Sequence, residues 1–294
     1  MRRCCLLAFA LIASLASGAR AQSATSLGGP DLRSPIFSEE VPYIRTPQAV
    51  VDKMLALAEV GPDDFLVDLG SGDGRIVITA ALKHGARGYG VELDPTLVEA
   101  SNAAAHKAGV AGRARFFTRD LFETDIREAS VLTMYLLPAV NLQLRPRILA
   151  QLKPGTRVVS HDWDMGEWQP DAKAVLEGLA KQVMPVRAST VYLWIVPAKV
   201  AGSWSVRIEG EGREQAMEIE FTQRFQEITG LAQRTRGRTL LQSAHLRGAE
   251  IRFAVIDETR RLSEPMHFFG RVFGDIMEGS TGTGRRWRAQ RKAD

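Results

Sequence analysis

The stretch from Phe65 to Asp94 constrains the fold of this chain more than any other segment. It reads FLVDLGSGDGRIVITAALKHGARGYGVELD, with an apolar run, alternate glycines at 70, 72 and 74, a helical pattern over 75–84 and a second apolar run. The order predicts strand, glycine turn, helix and strand. Such a βαβ unit belongs to an α/β fold that binds nucleotide-like ligands at the carboxyl ends of its strands.

The spacing of the glycines indicates which ligand this turn suits. A nicotinamide or flavin site has the pattern GxGxxG, whose third glycine would fall at position 75 or 77, where the chain has Arg and Val. Asp68, two residues before the first glycine, repels a pyrophosphate and suits an ammonium group. Glu92 can accept both hydroxyls of a ribose. A ribose and an amino-acid end without phosphates describe S-adenosylmethionine, which argues against the alternative of a nicotinamide oxidoreductase.

DLGSGDGR followed by GVELDP resembles the glycine loop and ribose-binding acid of the seven-stranded S-adenosylmethionine-dependent methyltransferases. The nearest likeness is to small lysine methyltransferases related to the mitochondrial enzymes that modify ATP synthase and the adenine nucleotide carrier. VPYIRTP, GYGVEL and RDLF match this group, whereas MYLLPAVN after the fourth strand departs from it. The resemblance implies a doubly wound, Rossmann-like seven-stranded sheet and S-adenosylmethionine as cofactor. The methyl acceptor stays open between a protein lysine and a small molecule.

The resemblance implies a cofactor site made from the glycine turn, the ends of the next strands and a lead-in before the first helix. In it, the lead-in covers the methionine end, and an acid after the third strand accepts a hydrogen bond from the adenine amino group. The predicted cofactor-binding residues are Tyr43, Thr46, Asp68, Gly70, Ser71, Gly72, Gly74, Glu92, Asp120 and Leu121.

Polar and aromatic side chains follow the fourth and fifth predicted strands, 129–137 and 156–160. Because catalysis in open α/β sheets occurs at this edge, Tyr135, His161 and Asp162 are the candidate catalytic residues, suited to removing a proton from an acceptor amine. A structural hydrogen-bonding role for His161 stays open. We predict no metal site, since the sequence HDWD lacks an evident third and fourth ligand.

Residues 1–21 have the pattern of a secretory signal peptide: two arginines, an apolar run over 4–15 and the small-x-small site ARA. The run is too short for a good membrane span, so we expect an exported, periplasmic or secreted protein with no stable span after cleavage. An uncleaved, membrane-tethering N-terminus is the alternative. Cleavage removes three arginines and lowers the net charge from +4 to +1, so we expect no nucleic-acid partner.

The remaining chain divides by composition and pattern. Residues 22–40 are predicted as a linker, 41–199 as the methyltransferase domain, 200–282 as a small antiparallel β domain and 283–294 as a basic, mobile tail. Within the methyltransferase domain, we expect Thr46 to cap the first helix, 171–181 to be helical, and strands 183–186 and 190–197 to form the closing hairpin. An exported enzyme has no obvious cofactor supply, which keeps open a second alternative, a non-catalytic binding module that retained the fold.

Overall fold

The computed structural model describes residues 43–178, 188–209, 215–234, 237–256 and 264–292. The predicted signal peptide and linker lie outside the described residues. The described chain builds two sheets, a mixed sheet toward the N-terminus and an antiparallel sheet toward the C-terminus.

The N-terminal sheet has seven strands in the order β3-β2-β1-β4-β5-β7-β6. The strands from β3 to β5 pair in parallel, and β7 is antiparallel to both of its neighbours. This topology confirms the predicted doubly wound, Rossmann-like fold. Its elements are α1 (Gln48–Leu57), β1 (Phe65–Leu69), α2 (Arg75–His84), β2 (Arg87–Glu92), α3 (Pro95–Lys107), β3 (Ala114–Thr118), β4 (Val131–Met134), α4 (Pro138–Gln151), β5 (Arg157–His161), β6 (Ala172–Glu177) and β7 (Ala188–Ile195).

Both faces of this sheet are covered, because successive side chains of a strand point to opposite sides. Leu66 and Val131 join the cluster formed with α1, α2 and α3. Their neighbours Val67 and Leu132 join a second cluster with residues of α4. The layering leaves the carboxyl ends of β1, β2, β4 and β5 as the open edge.

Indole rings complete the second face of the sheet. An edge strand, β6, lies where a helix was expected over 171–181. That prediction is wrong, since the segment contains β6, whose residues alternate between half-buried and exposed with the period of a strand. Trp168 and Trp194 are fully buried and lie 6.0 Å apart between ring centroids. The expected strand at 183–186 lies outside the described residues, whereas the strand expected over 190–197 is confirmed as β7.

The start of α1 also differs from the prediction. The helix begins at Gln48, and Pro47 precedes it without a side-chain capping bond. Thr46 Oγ1 instead lies 3.3 Å from Nδ1 of His161. The predicted hydroxyl cap is therefore wrong, because this side chain ties the lead-in to the sheet.

The C-terminal sheet has nine antiparallel strands in the order β11-β10-β9-β8-β16-β15-β14-β13-β12. Its edge strands β11 and β12 are consecutive in the chain, separated only by Leu241, whose N–H donates to the carbonyl of Gly230 in β10 (2.9 Å). The sheet therefore curls round until its edges meet, and we call it the rolled sheet. Its strands are β8 (Gly202–Ile208), β9 (Gln215–Arg224), β10 (Glu227–Arg234), β11 (Gly237–Leu240), β12 (Gln242–Arg247), β13 (Glu250–Val255), β14 (Met266–Phe273), β15 (Ile276–Thr281) and β16 (Arg286–Arg291).

An aromatic core fills the rolled sheet. Phe253 stacks on Phe268 with ring centroids 4.7 Å apart, and the buried Trp287 meets both rings edge-on. Trp287 belongs to β16, which pairs with β8 and β15 in the interior of the sheet. The prediction of a mobile tail over 283–294 is therefore wrong for Arg286–Arg291, a strand in which Trp287 and Ala289 are buried.

Candidate active site

The glycine turn after β1 has the backbone geometry that its sequence predicts. Gly70, Gly72 and Gly74 all have positive φ, at 74°, 52° and 76°, a region that favours glycine. The backbone N–H groups of Gly70 and Ser71 donate to the carbonyl of Val91 (3.0 and 2.9 Å). These bonds hold the turn against the end of β2.

Tyr43 covers this turn. A Cβ at Gly72 would lie 2.2 Å from Cε2 of the Tyr43 ring, so a side chain larger than glycine would collide with it. The Tyr43 hydroxyl accepts the backbone N–H of Asp73 (3.2 Å), and Arg75 Nη1 donates to the carbonyl of Thr46 (2.7 Å). The lead-in is thus tied across the mouth of the turn, with Tyr43 and Thr46 both beside it.

Asp68 is a buried carboxylate with an unused oxygen. Its side chain is 1% exposed, and its Oδ1 accepts the Thr133 hydroxyl (2.6 Å). Among the described residues, Asp68 Oδ2 and the buried Ser71 Oγ have no hydrogen-bond partner. Burial raises the pKa of Asp68 to about 7, against the opposing effect of the Thr133 hydroxyl. Unpartnered polar atoms at such a turn indicate a ligand that supplies donors.

Glu92 ends β2 and faces the same turn. Its Oε2 accepts the N–H of Gly72 (3.0 Å), and its Oε1 accepts the N–H of Leu93 (2.8 Å). These backbone donors orient the carboxylate before a ligand arrives, and a carboxylate has further lone pairs for two hydroxyl donors.

Asp120 and Leu121 follow β3 on a loop that an arginine holds in place. Asp120 Oδ1 accepts the N–H of Phe122 (2.7 Å). Arg147 of α4 donates to the carbonyls of Leu121, Phe122 and Thr124. Leu121 and Phe122 are half-buried. The sequence analysis did not single out Arg147, although it fixes the loop that carries two predicted cofactor residues.

Tyr135, His161 and Asp162 lie together at the ends of β4 and β5. The Tyr135 ring lies 3.9 Å from the His161 ring between centroids, and the Tyr135 hydroxyl donates to Asp162 Oδ2 (3.4 Å). Burial, followed by the charge of Asp162, raises the pKa of Tyr135 to about 12. The phenol therefore stays protonated at neutral pH and acts as a donor.

His161 is enclosed by hydrogen-bonding groups. It is 1% exposed; its Nδ1 lies 3.3 Å from Thr46 Oγ1, and its Nε2 lies 3.1 Å from Ser189 Oγ and 3.3 Å from Asp162 Oδ2. Both ring nitrogens are engaged, which favours an orienting role over direct contact with an acceptor.

Asp162 has a strained backbone. Its φ is +63°, and such a non-glycine conformation costs about 1–3 kcal/mol. Two bonds to Thr190 hold it: the Asp162 N–H donates to the Thr190 carbonyl (2.7 Å), and the Thr190 N–H donates to Asp162 Oδ1 (3.0 Å). Strain of this kind clusters at functional sites, and here it aims a carboxylate at Tyr135.

The loop after Asp162 is held from two sides by residues that the sequence reading missed. Asn141 of α4, fully buried, donates from Nδ2 to the carbonyls of Trp163 and Asp164 (3.2 and 3.4 Å). From the rolled sheet, Phe225 at the β9–β10 turn stacks on Trp168, with centroids 6.1 Å apart. Arg145 lies over the same Phe225 ring. The rolled sheet therefore contributes directly to the packing of this loop.

The residues present fit S-adenosylmethionine. Asp68 offers a buried acid with a free oxygen to an ammonium group, Glu92 offers an oriented carboxylate to a ribose, and the loop from Asp120 offers apolar side chains to an adenine. Among the described residues, no group of three or more His, Cys, Asp or Glu could hold a metal ion. The helices of the described ranges include none that is long and apolar enough to cross a membrane.

Known proteins match the same part of the chain. The family model described as ANTKMT methyltransferase domain matches residues 68–172. A protein-lysine N-methyltransferase of Saccharolobus islandicus (strain REY15A) is 43% identical over 165 residues, which cover 54% of this chain and 96% of that relative. The adenine nucleotide translocase lysine N-methyltransferase of Mus musculus is 37% identical, and the match covers 45% of this chain and 58% of the mouse protein.

A solved structure also matches, that of an RNA methyltransferase from Salinibacter ruber in complex with S-adenosyl-L-homocysteine. It is 54% identical, covers 53% of this chain and 95% of its own, and has a TM-score of 0.49. The relatives named here are all methyltransferases, and they give no support to the alternative of a non-catalytic module. With the fold, the site, the family model and the two lysine methyltransferase relatives taken together, the chain belongs to the S-adenosylmethionine-dependent methyltransferases of the seven-stranded class, in the family of small lysine methyltransferases related to the ATP synthase and adenine nucleotide translocase enzymes.

Proposed function

We propose that this enzyme transfers a methyl group to the side-chain amine of a protein lysine. The observation that carries the proposal is the 43% identity to a protein-lysine N-methyltransferase along nearly the whole length of that relative. The chemistry at the ends of β4 and β5 supports it. Asp162 attracts an ammonium group, and the half-buried rings of Tyr135 and Trp163 can pack on an aliphatic stem and on the cation.

When bound, S-adenosylmethionine supplies a methyl group on a sulfonium, and transfer forms a C–N bond as a C–S bond breaks. The residues of the chain must deliver a neutral amine in line with that methyl group and exclude water. Asp162 is the group that can take the proton of the lysine ammonium, directly or through the Tyr135 hydroxyl. His161, between Thr46, Ser189 and Asp162, keeps that carboxylate and the lead-in in register.

Transfer of tritiated methyl groups from S-adenosylmethionine to a lysate tests this activity. We expect label in protein, recovered as methyl-lysine after acid hydrolysis. Glu92→Gln should abolish most of it by weakening cofactor binding, whereas Glu99→Gln, an exposed substitution on α3, should not. Label recovered only in RNA or in small molecules would refute the lysine assignment.

Asp162→Asn tests the proton-transfer role within that activity. We expect kcat to fall by about 10²–10⁴-fold, the range for a positioned acid or base, with little change in the affinity for S-adenosylhomocysteine. Asp164→Asn is the matched control, because Asp164 is an exposed acid of the same loop. Equal kcat values in the two variants would exclude Asp162 as the base.

We also propose that the enzyme is exported, or remains tethered by its N-terminal segment. The supporting pattern is the charged start, the apolar run and the ARA site in residues 1–21. Cell fractionation and N-terminal sequencing test it: a protein that begins at Gln22 in the periplasm or medium is expected. A full-length cytosolic protein would overturn the proposal.

A further inference from the structure

One face of the rolled sheet carries a set of arginines around an open cavity. The cavity has a volume of about 1110 Å³ and is lined mainly by residues of β12 to β16, most of them exposed. We call this surface the arginine face and define it by Arg247, Arg252, Arg271, Arg286 and Arg288. The mechanism of methyl transfer uses none of these residues.

Within the part of the chain that the structure describes, the guanidinium groups of Arg252, Arg271, Arg286 and Arg288 form no salt bridge or hydrogen bond. The charge of Arg247 acts on the carboxyl group of Asp171. By contrast, Arg291, also on β16, bonds Asp275 at 2.8 Å. Three glutamates, Glu209, Glu250 and Glu278, line the same cavity as the five arginines, so its lining carries an excess of positive charge. An anionic partner would neutralise that excess.

Register shows that the charges of this face form a mixed pattern. Arg271 lies opposite Glu250 on β13 and Glu278 on β15, and Glu278 lies opposite Arg288 on β16. Signs therefore alternate from strand to strand, at a spacing of about 4.8 Å. A nucleic-acid backbone, uniformly negative, would meet the glutamates as well as the arginines. A protein partner with discrete charges fits this alternation better.

The arginine face also has apolar anchors. Phe269 and Phe273 on β14 line the cavity and are 48% and 53% exposed. Phe269 lies directly opposite Arg252 in the ladder. The basic side chains that line the cavity are five arginines and His245, with no lysine. Enrichment in arginine and aromatic residues with depletion of lysine is typical of protein–protein interfaces.

We propose that the arginine face docks a protein partner through a segment that combines acidic and apolar side chains. Carboxylates of the partner pair with the arginines, and an apolar side chain covers Phe269. The proposal goes beyond methyl transfer and does not depend on the identity of the methyl acceptor.

Fluorescence anisotropy of the full chain with three labelled probes tests the proposal. The probes are a short peptide of alternating glutamate and leucine, the same peptide with lysine for glutamate, and single-stranded oligo-dT. We expect the acidic peptide to bind most tightly, with an affinity that falls as salt rises. In the double variant Arg252→Glu, Arg271→Glu, its affinity should drop by about tenfold or more.

The matched control is Arg238→Glu, an exposed arginine on β11 of the same sheet, which should bind the acidic peptide like the unmodified protein. Binding of S-adenosylhomocysteine reports that each variant is folded. Tighter binding of oligo-dT that the double variant loses would overturn the proposal in favour of nucleic acid. No binding of the acidic peptide, or equal binding by all variants, would also overturn it.

Discussion

The substitution Asp68→Asn replaces the buried carboxylate before the glycine turn by its amide. We expect it to stabilise the folded protein and to weaken cofactor binding. Asp68 is 1% exposed, and burial raises its pKa from 3.8 to about 7. That difference corresponds to about 4 kcal/mol against the ionised folded form. The amide has nearly the same shape, keeps an acceptor for Thr133 and cannot ionise.

The sign of the pH dependence follows from proton binding. Between about pH 4 and pH 7 the unfolded wild-type chain has lost the Asp68 proton while the folded chain retains it, so wild-type stability falls as pH rises. In Asp68→Asn the side chain does not ionise, so this contribution to the fall in stability is absent. We expect the two proteins to be equally stable near pH 4 and the variant to be more stable by up to about 4 kcal/mol near pH 8.

Urea unfolding at a series of pH values measures this difference, and titration calorimetry with S-adenosylhomocysteine measures the cost to binding. Loss of the partner for the ligand's ammonium should weaken binding by about 1–3 kcal/mol. Asp63→Asn, an exposed acid before the same strand, is the control for both assays. A stability difference that does not grow with pH would refute the account of Asp68 as a carboxylate held at a raised pKa.

Two further changes test the surroundings of the site. Gly72→Ala should lower both the stability of the protein and its affinity for S-adenosylhomocysteine, because the added Cβ would lie 2.2 Å from the Tyr43 ring and the φ of this residue is +52°. The double variant Gly72→Ala, Tyr43→Ala should recover part of the lost stability, as measured by calorimetric melting. Phe225→Ala should destabilise the protein by about 1–3 kcal/mol by removing a stack on Trp168 and a contact with Arg145, whereas Phe225→Trp should restore most of it in urea unfolding.

The fold around the predicted cofactor site could be predicted because the residues that determine it are close together in the sequence. Alternate glycines, an acid before them and an acid after the next strand lie within thirty or so residues, and the backbone of such a turn allows few alternatives. The order and type of the elements from β1 to β5 followed from that start. The roles of the ten predicted cofactor residues and of Tyr135, His161 and Asp162 stay predictions that binding and kinetics must test.

Three predictions about local structure were wrong for a common physical reason: contacts with residues far away in the sequence decided the structure. The segment 171–181 has enough helix-forming residues to suggest a helix, but β7 offers it a ladder of hydrogen bonds as an edge strand. Thr46 has the position of a cap, yet its hydroxyl meets His161, a residue far away in the chain. Arg286–Arg291 reads as a solvated basic run because its buried members, Trp287 and Ala289, are interleaved with exposed polar residues.

The central place of β16 in the rolled sheet has a consequence for how the protein comes to be folded. The meander β8 to β11 and the meander β12 to β15 can each form from local hairpins, but β8 and β15 pair only through β16, the last strand of the described chain. During synthesis both halves must wait with unpaired edges until that strand leaves the ribosome. The glycine turn of the N-terminal sheet can therefore form early. The acceptor side of the active site is completed last, because Phe225 of the rolled sheet packs on the loop after β5.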